Sequence, residues 1–146
     1  MAGPLTFQVE DFRADDVVRM DAARRIRQIV FCEEQGVSAA DEWDGNDDAC
    51  DHFLLIDGGD PIGCARLRPY TGGTIKVERV AVLKNQRGRG AGVAIMRALL
   101  VRLAGKTVVL NAQLAVEGFY AKLGFVPKGE IFNEAGIDHI HMVKAP

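Results

Sequence analysis

With 146 residues, 48% hydrophobic and 26% charged, the chain is sized for one globular domain that buries roughly two thirds of its unfolded surface around one core. A formal net charge of -2 argues against a protein built to bind phosphate backbones, and no apolar run approaches the roughly 20 residues of a membrane helix, so neither nucleic acid nor membrane is an expected partner. The N-terminus lacks the basic start and apolar core of a secretory signal, which predicts a cytoplasmic protein; Cys32, Cys50 and Cys64 lie in no paired spacing and predict reduced thiols without a disulfide frame or a metal site.

Leu5, Phe7 and Val9 alternate with polar residues and predict a first strand. Val18, Ala22, Ile26, Ile29 and Val30 then recur at threes and fours, with Arg24, Arg25 and Arg27 mostly on the other side. That period predicts an amphipathic helix capped by Asp15 or Asp16 and ending between residues 33 and 36. Residues 33–51 are acidic: Glu33, Glu34, Asp41, Glu42, Asp44, Asp47, Asp48 and Asp51 crowd around Trp43, the single tryptophan. Two readings stay open for this stretch, a solvated loop with a short helix or an electronegative wall for a cationic substrate.

Residues 52–57 and 62–67 predict a hairpin around Asp57-Gly58-Gly59-Asp60, and Thr71-Gly72-Gly73 turns into a central strand at 74–83. A helix from about residue 90 ends at Gly105, a short strand covers 107–110, and a second helix at 115–123 stops at Gly124. Strands at 125–132 and 137–143 close the chain across Asn133-Glu134-Ala135-Gly136. The order predicts an α+β, or mixed α/β, single domain over residues 1–146, with about seven mostly antiparallel strands and three or four helices.

The junction after the central strand carries the strongest chemical signal. Arg87-Gly88-Arg89-Gly90-Ala91-Gly92 separates a β-branched run from an apolar helical period. Glycines ahead of a helix let backbone N–H groups converge on a ligand at the positive end of the helix dipole, which suits a phosphate. The Lys-Ser or Lys-Thr of a P-loop is missing, and a dinucleotide fingerprint counted from Gly88 or Gly90 ends on Val93 or Ile95 instead of glycine.

What fits is Arg-x-x-Gly-x-Gly, from Arg87 through Gly90 to Gly92, which resembles the acyl-CoA pyrophosphate loop of the GNAT superfamily of N-acetyltransferases. Phe119-Tyr120-Ala121-Lys122-Leu123-Gly124-Phe125 resembles the segment that follows the fifth strand in that superfamily. Ile26-Arg27, Val30-Phe31, Glu34-Gln35, Glu42, Asp44, Asp47 and His52 are similar to the opening of its ElaA-like and YjcF-like branch, and Phe132, Glu134, Gly136, Ile137, His139 and Met142 to that branch's last hairpin. The resemblance implies parallel fourth and fifth strands that splay apart, often at a bulge in the fourth. It further implies a pantetheine arm paired with the backbone around Val80, Ala81 and Val82, and a pyrophosphate on Arg87, Gly88, Arg89, Gly90, Ala91 and Gly92. Gln113, where many members carry Asn, and Tyr120 are the remaining cofactor contacts implied. The activity implied is transfer of an acetyl group from acetyl-CoA, the co-substrate, to an amine in a ternary complex, without a metal; if the acidic stretch folds over the acceptor side, that amine is small and cationic. A homodimer is left open as an assembly. The alternative is a domain that binds CoA as a sensor or scaffold without turnover.

An amine of pKa near 10 is only about one part in a thousand neutral at pH 7, so a base is required. Glu78 is the candidate: a regular strand puts it on one face with Lys76, Val80 and Val82, and puts Arg79 on the other. It reads equally as an ion-pair partner of Lys76 or Arg79. Tyr120 is the candidate hydrogen-bond donor to the departing thiolate, with a core tyrosine as its bland reading. Glu34, Trp43, Asp44, His52 and His139 are candidates for the acceptor side. His139 shares a strand face with His141, and neither stands in metal spacing.

Overall fold

The computed structural model describes residues 7–146, and Leu5 of the first predicted strand lies outside them. Seven strands form one sheet: β1 (Phe7–Arg13), β2 (Asp51–Asp57), β3 (Asp60–Pro69), β4 (Ile75–Val82), β5 (Val108–Gln113), β6 (Val126–Glu134) and β7 (Ile137–Lys144). Their spatial order is β1-β2-β3-β4-β5-β7-β6, and every neighbouring pair is antiparallel except β4 with β5. Four helices accompany the sheet: α1 (Val17–Arg27), α2 (Ala39–Glu42), α3 (Ala91–Arg102) and α4 (Glu117–Lys122).

Unequal layers cover the two sides of the sheet over β1–β4, while β6 stays exposed. One face of β1–β5 packs on α3 and α4 through Leu55, Leu67, Val77, Ile95, Met96, Leu99 and Leu110. The other face of β1–β4 meets α1 through Leu54, Ile56, Cys64, Met20, Ala23 and Ile26. Asp16 caps α1, its carboxylate accepting from the Arg19 N–H at 3.2 Å, a bond of the kind that contributes about 1 kcal/mol.

The buried stripe of α1 differs from the one its apolar period suggested. Val18 is 81% exposed and Ile29 39%, whereas Arg27, expected on the polar side, is 1% exposed. The face that packs runs through Met20, Ala23, Ile26 and Arg27 to Val30, because Arg27 finds carboxylate partners inside. Beyond Arg27 the helix widens into a π-helical segment, Gln28–Glu34. Such segments recur at functional sites, and this one delivers Val30 and Phe31 to the cleft described below.

Two irregularities in β4 open the sheet. Parallel pairing with β5 covers only Ile75, Lys76 and Val77, opposite Val108, Val109 and Leu110; beyond these the strands part. The β3–β4 register slips by one residue between Arg66↔Glu78 and Cys64↔Ala81, and Arg79 within the slip has φ 55. This is a β-bulge, and it breaks the period of two. Val80 and Val82 therefore pack toward α3, while Ala81 packs toward α1. The regular-strand expectation that Glu78 shares a face with Val80 and Val82, with Arg79 opposite, is thus corrected.

Candidate active site

The parting of β4 and β5 opens a cleft of about 800 Å³. Its floor is the β4 backbone at Val80, Ala81 and Val82; Gly88, Gly90, Ala91 and Gly92 line one end, and Tyr120, Gln113 and His139 line the β5 side. Residues 30–44 and the β6–β7 turn complete the wall. Beyond Val77, β4 has no strand partner on the β5 side among the described residues, so the peptide groups that face away from β3 there, other than the Val82 carbonyl held by Arg87, are available to an extended ligand.

At the glycine end, Gly88 and Gly90 hold φ 79 and φ 80, left-handed values that turn the chain into α3. Gly90 caps α3 without a side-chain bond, and the amides of residues 88–93 donate to no backbone carbonyl among the described residues. A Cβ on Gly92 would lie 3.2 Å from the Phe119 ring, tighter than an ordinary contact, so this glycine lets the ring pack closely against α3. The two arginines behave differently from a simple cationic cradle. Arg87 lines the cleft, but its Nη1 and Nη2 donate to the Glu34 carboxylate at 2.6 and 2.8 Å, and its Nε donates to the Val82 carbonyl at 3.0 Å. Arg89 turns away to Asp57, at 2.9 Å, and lies over the Phe7 ring.

Tyr120 is 9% exposed and sits edge-on to Phe119 and Phe125, with ring centroids 5.0 and 6.0 Å away. Burial alone pushes its phenol up to about 12. The side chain is therefore a neutral hydrogen-bond donor across the physiological range. Gln113 donates to the Gln35 Oε1 at 2.8 Å, joining the end of β5 to the end of the π-helical segment.

The acidic stretch is an internal ion network. Arg27 binds Glu42 and Asp47, each at 2.8 Å. Arg66, 1% exposed, binds Asp44 at 2.7 Å, Asp47 at 3.0 Å and Glu78 at 2.6 Å. Arg79 holds Glu42 at 2.9 Å and Asp44 at 3.2 Å, and its Nη2 also donates to the carbonyls of Asp41 and Glu42. Desolvation would raise the Asp44 and Asp47 carboxyls; the hydrogen bonds from Arg66 and Arg27 outweigh it and hold both below the usual carboxylate range. With Arg24 and Arg68 included, five guanidiniums meet the four carboxylates of Glu42, Asp44, Asp47 and Glu78. These four carboxylates are thus charge-compensated, and of the two readings left open for the stretch neither a solvated loop nor an uncompensated electronegative wall describes them.

The remaining candidates divide. His139 reaches the cleft, its Nδ1 2.7 Å from the Ile137 carbonyl and its ring stacked on Phe132. His52 is 1% exposed, 2.8 Å from the Asp47 carbonyl and stacked on Phe12; burial lowers its pKa and keeps it neutral. Trp43 lies under the Arg27 guanidinium in a separate concavity of about 370 Å³. Neither His52 nor Trp43 lines the main cleft, and Glu34 meets it only through Arg87. Cys64, fully enclosed with its thiol pushed up to about 12 by burial, is no nucleophile.

Two cleft residues, Arg68 and Asn111, carried no functional signal in the sequence; Phe31 stood out only in the Val30-Phe31 pair and Lys76 only as a neighbour of Glu78. Gln35 stood out only as part of the Glu34-Gln35 pair. Among the described residues no group of three or more His, Cys, Asp or Glu side chains could hold a metal, and no helix is long and apolar enough to cross a membrane.

Residues 29–146 match the model of the acetyltransferase (GNAT) domain, which covers both the glycine loop and the Tyr120 segment. The chain belongs to the GNAT acetyltransferase family. Within that family it is 38% identical to the uncharacterized N-acetyltransferase YjcF of Bacillus subtilis over 123 residues, 82% of this chain and 87% of that one. The crystal structure of Escherichia coli ElaA superimposes with a TM-score of 0.84 at 27% identity, covering 95% of this chain and 99% of ElaA. An acyl-CoA N-acyltransferase from Pseudomonas aeruginosa gives 0.82 at 30% identity over 97% of this chain and all of the other. These relatives agree with the branch that the N-terminal motifs resemble, and the GNAT fold accounts for the parted β4 and β5.

Proposed function

We propose that the protein is an N-acetyltransferase that moves the acetyl group of acetyl-CoA directly to a small amine in a ternary complex. The observation that carries this reading is the convergence, on one cleft between parted strands, of a glycine loop with free amides, a buried phenol donor and a carboxylate. Pyrophosphate on the amides of residues 88–93 would direct the pantetheine arm along the open edge of β4, bringing the thioester between Glu78 and Tyr120. The amine nitrogen then attacks the thioester carbonyl carbon, the new N–C bond forms, and the C–S bond breaks.

Glu78 is the proposed proton acceptor. Its Oε2 is taken by Arg66, whereas Oε1 lies 2.6 Å from the Arg68 Nε without an aligned hydrogen bond, buried beside the cleft. An ammonium, or a water that relays its proton, would reach that oxygen once the Arg68 guanidinium shifts from it. Tyr120 donates to the sulfur as negative charge develops. The positive charge of the incoming ammonium is met by Asp41 and Glu134, cleft carboxylates that form no ion pair with lysine or arginine among the described residues.

Thiol release from acetyl-CoA over a panel of amines tests the reading. A domain that only senses or scaffolds CoA would bind it and release none. Glu78→Gln is expected to lower kcat/KM by about a hundredfold, with recovery at alkaline pH where the amine deprotonates unaided. An unchanged pH profile would remove Glu78 from proton transfer.

The loop makes a second prediction. A Cβ on Gly90 would meet no atom within 4 Å, so Gly90→Val acts through its φ of 80 alone, a conformation that β-branched residues resist. CoA affinity measured by calorimetry should fall at least tenfold, with a small change in melting temperature. A folded variant with unchanged affinity would place the pyrophosphate elsewhere.

A further inference from the structure

The cleft continues past Glu78 along the sheet face that α1 leaves open, and there its lining changes character. The register pairs Arg66 with Glu78, Arg68 with Lys76, and Lys76 with Val109, so Arg68, Lys76, Glu78 and Asn111 stand on one face of β3, β4 and β5. All four line the cleft. Their hydrogen-bonding capacity is only partly used. Arg68 spends its Nε against Glu78, and neither of its terminal nitrogens has a partner among the described residues. The Lys76 ammonium forms no ion pair among the described residues and lies 5.9 Å from the centre of the Tyr70 ring. Asn111 accepts at Oδ1 from the His141 Nδ1 at 2.8 Å, which orients the amide and leaves its NH2 as a donor.

Each donor alone would be an ordinary surface group. Together they are a guanidinium fork, an ammonium and an amide around one end of a cleft, a set that matches a planar carboxylate. Arg68 is only 29% exposed, so part of its charge is already out of water. The adjacent group is Glu78, the proposed site of the amine. We infer that the acceptor is an amino acid, its amine beside Glu78 and its carboxylate on Arg68 and Lys76. This deepens the acetyltransfer reading and rests on it. The geometry limits the separation as well. Lys76 and Glu78 are two residues apart on one strand, about 6.7 Å, and Arg68 reaches between them, so amine and carboxylate separated by one to three carbons fit.

The inference is tested with matched acceptors, phenylalanine against phenethylamine and lysine against cadaverine, which differ only in the carboxylate. In thiol release the amino acid should exceed its decarboxylated partner at least tenfold in kcat/KM. Lys76→Met should erase most of that difference while leaving the decarboxylated amine and the KM for acetyl-CoA unchanged, whereas Arg68→Gln, which also removes the cation 2.6 Å from Glu78, should lower turnover of both partners and of the amino acid more. A second readout does not need turnover: N-acetyl-phenylalanine, which keeps the carboxylate and has no free amine, should bind the CoA-loaded protein by calorimetry and lose at least tenfold in affinity in Lys76→Met. Binding without thiol release from any amine keeps the carboxylate seat and overturns the acetyltransferase reading. Thiol release with no preference for the carboxylate, or equal losses for both partners in Lys76→Met, overturns the seat and leaves the acetyltransferase reading intact. Neither binding nor release overturns both.

Discussion

Tyr120→Phe should lower kcat by roughly ten- to a thousandfold while the KM for acetyl-CoA stays near the wild-type value, the pattern of a group that acts on the departing thiolate and little on the bound substrate. The phenol is a suitable donor because burial holds it neutral, with its pKa pushed up to about 12. No alkaline limb from this residue is expected in kcat below about pH 11. The same shift provides a control on folding. A phenol near 10 in the unfolded chain and near 12 in the folded one favours the protonated form on folding, so stability is unaffected by it below pH 10 and falls as pH rises toward 12. The loss amounts to about 2–3 kcal/mol at most. Urea midpoints of the Phe variant should therefore match the wild type at pH 8 and exceed it at pH 11.5. A variant that turns over at the wild-type rate would return Tyr120 to the core between Phe119 and Phe125.

The parts of this site that were legible in the sequence are those built from consecutive residues. Gly88 to Gly92 announce a turn into a helix, and the Tyr120 segment ends on a glycine, so both motifs survive as local statements. The parallel pairing and the parting of β4 from β5 followed from the family that those motifs resemble, whereas the full strand order and the two helical layers were not read from the sequence. The bulge at Arg79 was the limit of the period-of-two argument: one inserted residue moved Arg79 beside Glu78 and turned Val80 and Val82 to the α3 side. The ion network was illegible for another reason. Arg27 meets Glu42 across 15 residues, and Arg79 meets Asp44 across 35, so nothing local distinguishes these carboxylates from solvated ones. Periodicity gave Arg27 the polar face because it scores a charge as exposed, whereas a guanidinium with enough acceptors is stable inside. His52 and Trp43 were drawn toward the acceptor by sequence proximity to the acidic stretch, and both serve the network instead.

That network sets the expected result for Asp44→Asn combined with Asp47→Asn. The double variant leaves Arg66, 1% exposed, with Glu78 as its only carboxylate, and leaves Arg27 with Glu42 alone. Removing one side of a buried ion pair while the other charge stays inside typically destabilises by about 3–5 kcal/mol, and the loss should appear as a large drop in the urea midpoint. Asp48→Asn, an exposed neighbour outside the pairs named above, should change it by no more than about 0.5 kcal/mol. Acid unfolding gives the same answer with a known sign. Both carboxyls are depressed in the folded state, so the stability they contribute is present above their unfolded values near 4 and is lost as pH falls below that. Wild-type stability should decline steeply from pH 4 downward, and the double variant, which has already lost those groups, should decline less over the same range. Because Arg66 also fixes one oxygen of Glu78, the surviving folded fraction should show a lower kcat with acetyl-CoA affinity retained. Wild-type stability in the double variant, with altered discrimination between charged and neutral amines, would make Asp44 and Asp47 acceptor-facing groups after all and restore the acidic wall.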